Sequence, residues 1–310
     1  MRILFMGTPD FALETLKALH DDGENIVGVV TQPDKPRGRG NVMTPPPVKV
    51  YAESVGIPVY QPTTLRNGAF DDTLKALDPE LIVVVAYGKI LPPSVLDYPV
   101  HGCMNVHGSL LPVLRGAAPM QRAIMEGHPV TGITTMYMAE GLDTGDMLLK
   151  AELPIEPDDN FESVHDKLAA LGAETMRRTI AALRAGTLVR HVQDDSLATY
   201  AAKIEKADCL IDFTRPAVEV HNRIRGLSPI PLSFTHTPDG KLLKVVAAHV
   251  GASDGQRAAP GTVISVADGI EVACGEGTIV LTRVVPEGKG QMGATDFVRG
   301  RKVAVSDLLS

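Results

Sequence analysis

Between Glu80 and Tyr87 the chain reads Leu-Ile-Val-Val-Val-Ala, an unbroken apolar run with β-branched residues at its centre. A short run of this kind suits a strand buried on both faces, an environment provided by a parallel sheet with helices packed above and below. The flanking sequence agrees. Candidate strands Arg2–Phe5, Ile26–Val30, Leu81–Ala86, Met104–Val106 and Ile133–Met138 alternate with helical periodicity at Phe11–Leu19, Pro47–Ser54, Phe70–Leu77 and Ala118–Met125. That alternation predicts an α/β, doubly wound, Rossmann-like domain. A long helix from Glu162 to Leu183 closes it, with Asn160 or Ser163 placed for capping and Gly186 just past its end.

At 310 residues the chain is longer than one typical domain. The first domain is assigned to residues 1–187, and the polar, unperiodic stretch 188–204 reads as a linker. Residues 205–310 form the second domain. They hold one helical segment, Ala217–Arg225, and short β-like runs at Leu243–Ala247, Gly261–Val266, Gly269–Ala273 and Thr278–Val284, separated by Gly and Pro turns. Close spacing of short strands predicts a small barrel of the oligonucleotide-binding (OB-like) type.

Composition narrows the function classes. Hydrophobic residues at 44%, charged residues at 22% and a net charge of −7 describe a globular chain rather than a disordered one. The apolar run at 81–86 is far shorter than the roughly 18 to 20 residues that cross a bilayer, and Met1-Arg2-Ile3-Leu4-Phe5 leads into a turn and not a cleavage site, so no membrane partner and a cytoplasmic location are expected. Cys103, Cys209 and Cys274 lie far apart, which fits neither a disulfide framework nor a paired-cysteine zinc site. The acidity is uneven: residues 1–200 carry a balance of −8 and residues 201–310 one of +1. Local basic excesses occur at Lys35, Arg37, Arg39 and Lys49, and again at Arg283, Lys289, Arg299, Arg301 and Lys302. Such clusters are ordinarily solvated faces, but they also supply the local positive potential that nucleic-acid phosphates require.

Two polar clusters carry candidate chemistry. The turn Gly7-Thr8-Pro9-Asp10 lacks the three-glycine spacing of a dinucleotide site. In Asn105-Val106-His107-Gly108-Ser109-Leu110-Leu111-Pro112, by contrast, Asn105 and His107 fall on one face at the C-terminal end of a predicted strand, where α/β sheets collect ligands. An amide beside an imidazole can stabilise a developing oxyanion and move a proton, although a His next to a Gly is often only a hydrogen-bonded loop residue. His101, Cys103 and His107 make a poor metal set without a partner cysteine, and no metal is expected. The second cluster is Glu140-Gly141-Leu142-Asp143-Thr144-Gly145-Asp146. If this turn folds back over the strand end, Asp143 can hold His107 in its charged or correct tautomeric form.

These segments, with Arg115-Gly116-Ala117-Ala118-Pro119, Gly7-Thr8-Pro9-Asp10-Phe11, Thr31-Gln32-Pro33-Asp34, Gly38-Arg39-Gly40, Ala86-Tyr87-Gly88, Ile211-Asp212-Phe213, Ile224-Arg225-Gly226 and Pro229-Ile230-Pro231, resemble the formyltetrahydrofolate-dependent formyltransferases along nearly the whole chain. The resemblance implies transfer of the formyl group of 10-formyltetrahydrofolate, a co-substrate, to the α-amino group of methionine on initiator tRNA, a step of translation initiation. It implies oxyanion stabilisation by Asn105 and protonated His107, with Asp143 keeping His107 charged. By the same similarity, Ser109, Leu110, Leu111 and Pro112 line the folate site, with Ile90, Leu91 and Leu142 as its walls. Lys35, Arg37 and above all Arg39 lie on the loop that reaches the tRNA acceptor end, and Lys203, Lys206, Arg299, Arg301 and Lys302 continue the phosphate contacts. Val113-Leu114 departs from the family pattern, which has a basic residue and an aromatic before Arg115-Gly116. A monomer is expected. Competing readings are a formyltransferase for an amino sugar nucleotide, a formyltetrahydrofolate hydrolase, and a tRNA-binding module without catalysis.

Overall fold

In the computed structural model, Leu81–Val85 is the middle strand of seven, and all five of its side chains are buried. The structure describes residues 1–38, 40–251, 258–300 and 302–310. Two compact units emerge: one of residues 1–116, 131–154 and 165–200, the other of residues 117–130, 155–164 and 201–310.

In the first unit the strands are β1 (Arg2–Gly7), β2 (Asn25–Val30), β3 (Val59–Tyr60), β4 (Leu81–Val85), β5 (Cys103–His107), β6 (Val130–Tyr137) and β7 (Met147–Pro154). Their order is β7-β6-β5-β4-β1-β2-β3. β4 runs parallel to β1 and β5, and β1 is parallel to β2, whereas β6 is antiparallel to β5. A Leu, Ile or Val buried as fully as those of β4 contributes roughly 1.5–3 kcal/mol relative to exposure, so the centre of the sheet is its most stable part. The five strands expected from the sequence are all present. β7 and β3 were not expected: β7 alternates polar and apolar residues at the sheet edge, and β3 has only two residues. A further hairpin pairs Lys35–Arg37 with Val42–Thr44.

The helix Phe161–Arg184 supports β5 and β6. Leu168, Met176 and Ile180 recur at helical spacing and are buried. Gly172 lets the helix approach closely, since a Cβ there would lie 2.9 Å from Val106 Cγ1. Thr179 adds a hydrogen bond to Thr135 at 2.8 Å.

The second unit holds an antiparallel sheet of β8 (Ser233–His236), β9 (Leu242–Val250), β10 (Val263–Ser265), β11 (Ile270–Ala273), β12 (Thr278–Pro286) and β13 (Met292–Gly293). Its path is β8-β9-β12-β11-β10, with β13 on β12. Register shifts near Ala247 and between Val263 and Ser265 bend it. The final residues stitch the two ends of that path: Val263 donates to the Asp307 carbonyl at 2.8 Å, and His236 to that of Ser310 at 2.7 Å. The result is a curled, barrel-like sheet around Ile211, Ile224, Val245, Leu281 and Leu309, in keeping with the barrel expected from the sequence. No helix among the described residues is long and apolar enough to cross a membrane.

Candidate active site

The helix Phe161–Arg184 occupies the face of β5 that carries Val106, so strand alternation puts Asn105 and His107 on the opposite face. His107 is 5% exposed. Its Nε2 lies 3.0 Å from the carbonyl oxygen of Leu114, which can only accept, so Nε2 carries a hydrogen and donates it. Its Nδ1 lies 3.6 Å from Asp143 Oδ2. Nε2 is thus hydrogen-bonded, while Nδ1 faces the carboxylate from just beyond hydrogen-bond distance. Asn105 is half-buried, and its side-chain amide has no hydrogen bond to any described residue.

Asp143 reaches this position because its loop folds back. Leaving β6, the chain ties Met138 N–H to the Cys103 carbonyl at 2.8 Å and then reverses. Gly145 is needed in the reversal, because a Cβ would sit 1.8 Å from the Tyr137 carbonyl oxygen. Asp143 itself adopts a left-handed backbone (φ +52°), uncommon for a non-glycine residue. Its Oδ2 also accepts the Gly116 N–H at 2.8 Å. The fold-back on which the sequence makes the His107–Asp143 pairing conditional is present in this loop.

The loop after β5 is held from within. Ser109 Oγ donates to the Val113 carbonyl at 2.6 Å, and Thr134 Oγ1 donates to the Ser109 carbonyl at 2.7 Å while accepting the Leu111 N–H at 3.1 Å. Lys150 Nζ donates to the Leu111 carbonyl, and burial lowers the pKa of that amine. Ser109 and Leu111 are buried, so their side chains shape the loop from inside, while Leu110 and Pro112 remain half-exposed. Of the apolar walls named from the sequence, Ile90 and Leu142 stand in solvent at 73% and 61% exposure, but Leu91 packs into the core with Tyr87 and Val95. Leu114, part of the departure from the family pattern, acts through its carbonyl; its side chain is buried.

Two residues beside the site, Arg115 and Gln193, take no role from the sequence, although Arg115 belongs to one of the motifs that carry the resemblance. Arg115 is 2% exposed, and its Nε and Nη2 reach Gln193 Oε1 at 3.0 and 2.9 Å. Nη2 also meets Asp195 at 2.7 Å. Gln193 lies in the stretch read as a linker, most of which packs with the first unit. Nothing in the local pattern marks its amide as buried. Among the described residues no group of His, Cys, Asp and Glu gathers to hold a metal ion. Cys103 donates to the Val95 and Leu96 carbonyls, and burial pushes its thiol up to about 12.

The basic candidates fall in two sets. In the first unit Lys35 is exposed on the hairpin, and Arg37 occupies the same strand. Arg39 lies outside the described residues, as does Arg301. Lys49 is not a free cation as its place in the basic loop suggested: its Nζ bonds Asp34 at 2.9 Å and Gln61 at 2.9 Å, clamping the foot of the hairpin. The Gln61 amide and then Lys49 hold the Asp34 carboxyl below its ordinary pKa. In the second unit Lys203, Lys206, Arg299 and Lys302 are exposed. Lys203 stands 3.6 Å from Glu205, and Arg299 2.8 Å from Asp296. Such exposed pairs contribute about 0–1 kcal/mol.

A doubly wound domain with an imidazole facing a carboxylate and a half-buried amide on the same strand face, followed by a curled antiparallel sheet, defines the class. Residues 1–180 match the family described as formyl transferase, and residues 203–302 match its C-terminal domain, so the chain belongs to the formyl transferase family. Curated relatives named methionyl-tRNA formyltransferase are 49% identical in Geotalea uraniireducens, covering 100% of this chain and 98% of that one, and 51% identical in Myxococcus xanthus, covering 98% and 96%. Among solved structures, HypX from Aquifex aeolicus in complex with tetrahydrofolic acid superposes with a TM-score of 0.66 at 14% identity over 96% of this chain, which spans 47% of that protein's length. The N-formyltransferase of Helicobacter canadensis, in complex with folinic acid and dTDP-3-aminofucose, gives 0.66 at 16% identity, covering 90% of this chain and 98% of that one. At those identities the likeness is one of fold.

Proposed function

We propose that this chain transfers the formyl group of 10-formyltetrahydrofolate to the α-amino group of methionine on initiator methionyl-tRNA, acting as a monomer in the cytoplasm at translation initiation. The observation that carries this reading is the 49% identity, across both halves of the chain, to a relative named for that activity. The site geometry supports the chemistry. As the amine adds to the formyl carbon, the formyl oxygen gains charge and needs donors. The Asn105 side-chain amide supplies one. His107 supplies the other from Nε2, whose hydrogen leaves the Leu114 carbonyl to reach it. Bond exchange then runs from the folate nitrogen to the methionine nitrogen: the first gains a proton and the second loses one, and His107, with its charge balanced by Asp143, relays it.

The exposed Ile90 and Leu142, with Leu110 and Pro112, offer apolar surface for the pterin, and the hydrogen-bonded backbone of 109–113 keeps that surface in place. In this reading residues 1–187 carry the chemistry, and residues 205–310 bind tRNA, joined through 188–204. Arg39, Lys35 and Arg37 meet the acceptor end, while Lys203, Lys206, Arg299, Arg301 and Lys302 contact phosphates. The test is incubation of purified protein and 10-formyltetrahydrofolate with charged methionyl-tRNA, uncharged tRNA or an amino sugar nucleotide. Formylation of the charged tRNA alone is expected. Formylation of the sugar alone would keep the folate chemistry and overturn the acceptor.

A further inference from the structure

We infer that Gln193 is a positioning residue for formyl transfer, holding Asp143 in register with His107. The inference rests on the reading of that pair as catalytic. The loop carrying Asp143 is tied at its carboxylate by the Gly116 N–H and at Asp146 by Arg190, but Glu140, Gly141, Leu142 and Thr144 are all exposed, and Asp143 has a left-handed backbone. Such a conformation persists only where its surroundings over-determine it. Gln193 supplies that constraint from a position 8% exposed. Its Nε2 donates to the carbonyls of Asp143 at 2.7 Å and Gly145 at 2.8 Å, bracketing the turn on either side of Thr144.

The amide cannot reverse, because its Oε1 is fixed by two donors of one guanidinium, Arg115 Nε and Nη2. Arg115 is itself covalently joined to the other half of the site. Its neighbour Gly116 donates to the Asp143 carboxylate, and its neighbour Leu114 accepts from His107. That segment is anchored in turn by Thr199, which accepts from the N–H groups of Leu114 and Arg115 at 2.9 Å each. Gln193 therefore joins the backbone that carries the carboxylate to the segment that holds both catalytic side chains. A shift of about 1 Å in one partner is enough to cost about a hundredfold in rate.

The test is a double-mutant cycle between Gln193→Glu and Asp143→Asn in the full chain, assayed with 10-formyltetrahydrofolate and methionyl-tRNA. Glu keeps the shape and a partner for Arg115 but turns an acceptor toward the two carbonyls. Gln193→Met, which conserves volume, provides the same cycle should Glu prevent folding. The expected result is a kcat lowered at least about tenfold, KM for either substrate within about twofold, and a displaced pH profile of kcat/KM. In the Asp143→Asn background the same change should add little, because both act through one carboxylate. A loss of equal size in both backgrounds, or a change confined to KM, overturns the inference. If Asp143→Asn alone turns over normally, the catalytic reading beneath it fails, and that result is distinct from the additive one.

Discussion

Asn105 and His107 share one face of a strand but stand in different situations. The imidazole is buried, hydrogen-bonded at Nε2 and facing the Asp143 carboxylate at Nδ1, whereas the amide is half-buried and has no hydrogen-bond partner among the described residues. Asn105→Ala therefore removes a donor without orphaning another group, and its effect should fall on chemistry: about a hundredfold loss in kcat or more, with an unchanged melting temperature. Steady-state kinetics beside a thermal melt checks this, and equal damage to both would mean that Asn105 is structural. Gly145→Ala should behave in the opposite way. Its Cβ meets a backbone oxygen that cannot yield, so the loop must shift, at a cost of about 1–3 kcal/mol in stability with activity lost alongside. Asn105, His107 and Asp143 could be singled out as candidates in the sequence because polar residues at a strand end and in a Gly-rich turn stand out against an apolar background; their roles come from the resemblance. Gln193 could not, nor could the buried bonding of Arg115, since such contacts are made with partners about 50 to 80 positions away in sequence.

Elements with strong internal patterns were readable, and those defined by distant pairing were not. The apolar β4 and the helix Phe161–Arg184 announce themselves by run length and period. Edge strand β7, the hairpin at Lys35–Thr44 and β8 are short or half-polar, and only their neighbours make them strands. The closing of the second sheet by the residues around Leu309 belongs to the same group. Leu309 is 2% exposed, and Leu309→Ala should destabilise the second unit by about 2–5 kcal/mol. Denaturant unfolding measures this, and a loss below about 1 kcal/mol would mean that the sheet does not depend on that residue. The helix Ala217–Gly226 adds a pH dependence. Burial, then the nearby Arg225 charge, lowers the pKa of His221 below 6.5, so the folded ring takes up a proton less readily than the unfolded one. Its contribution to stability is present above pH 6.5 and is lost as pH falls from there through the lowered folded value. Melting temperatures at pH 7.5 and 5.5 should accordingly fall further for the parent than for His221→Gln.

Taken whole, the chain is acidic, yet each unit carries exposed cations, which the proposed function assigns to tRNA phosphates. Binding of methionyl-tRNA should weaken steeply as salt rises, and Lys206→Ala should lower the slope of log K against log salt by about one. Formation of a product from free methionine at the rate seen with charged tRNA would remove any role for those surfaces. The account stands or falls on the paired imidazole and carboxylate, and single-turnover formylation of methionyl-tRNA at saturating 10-formyltetrahydrofolate by the parent and by His107→Ala isolates them. A rate lowered by about a hundredfold or more, with tRNA binding intact, is the predicted result; a rate near that of the parent would contradict it.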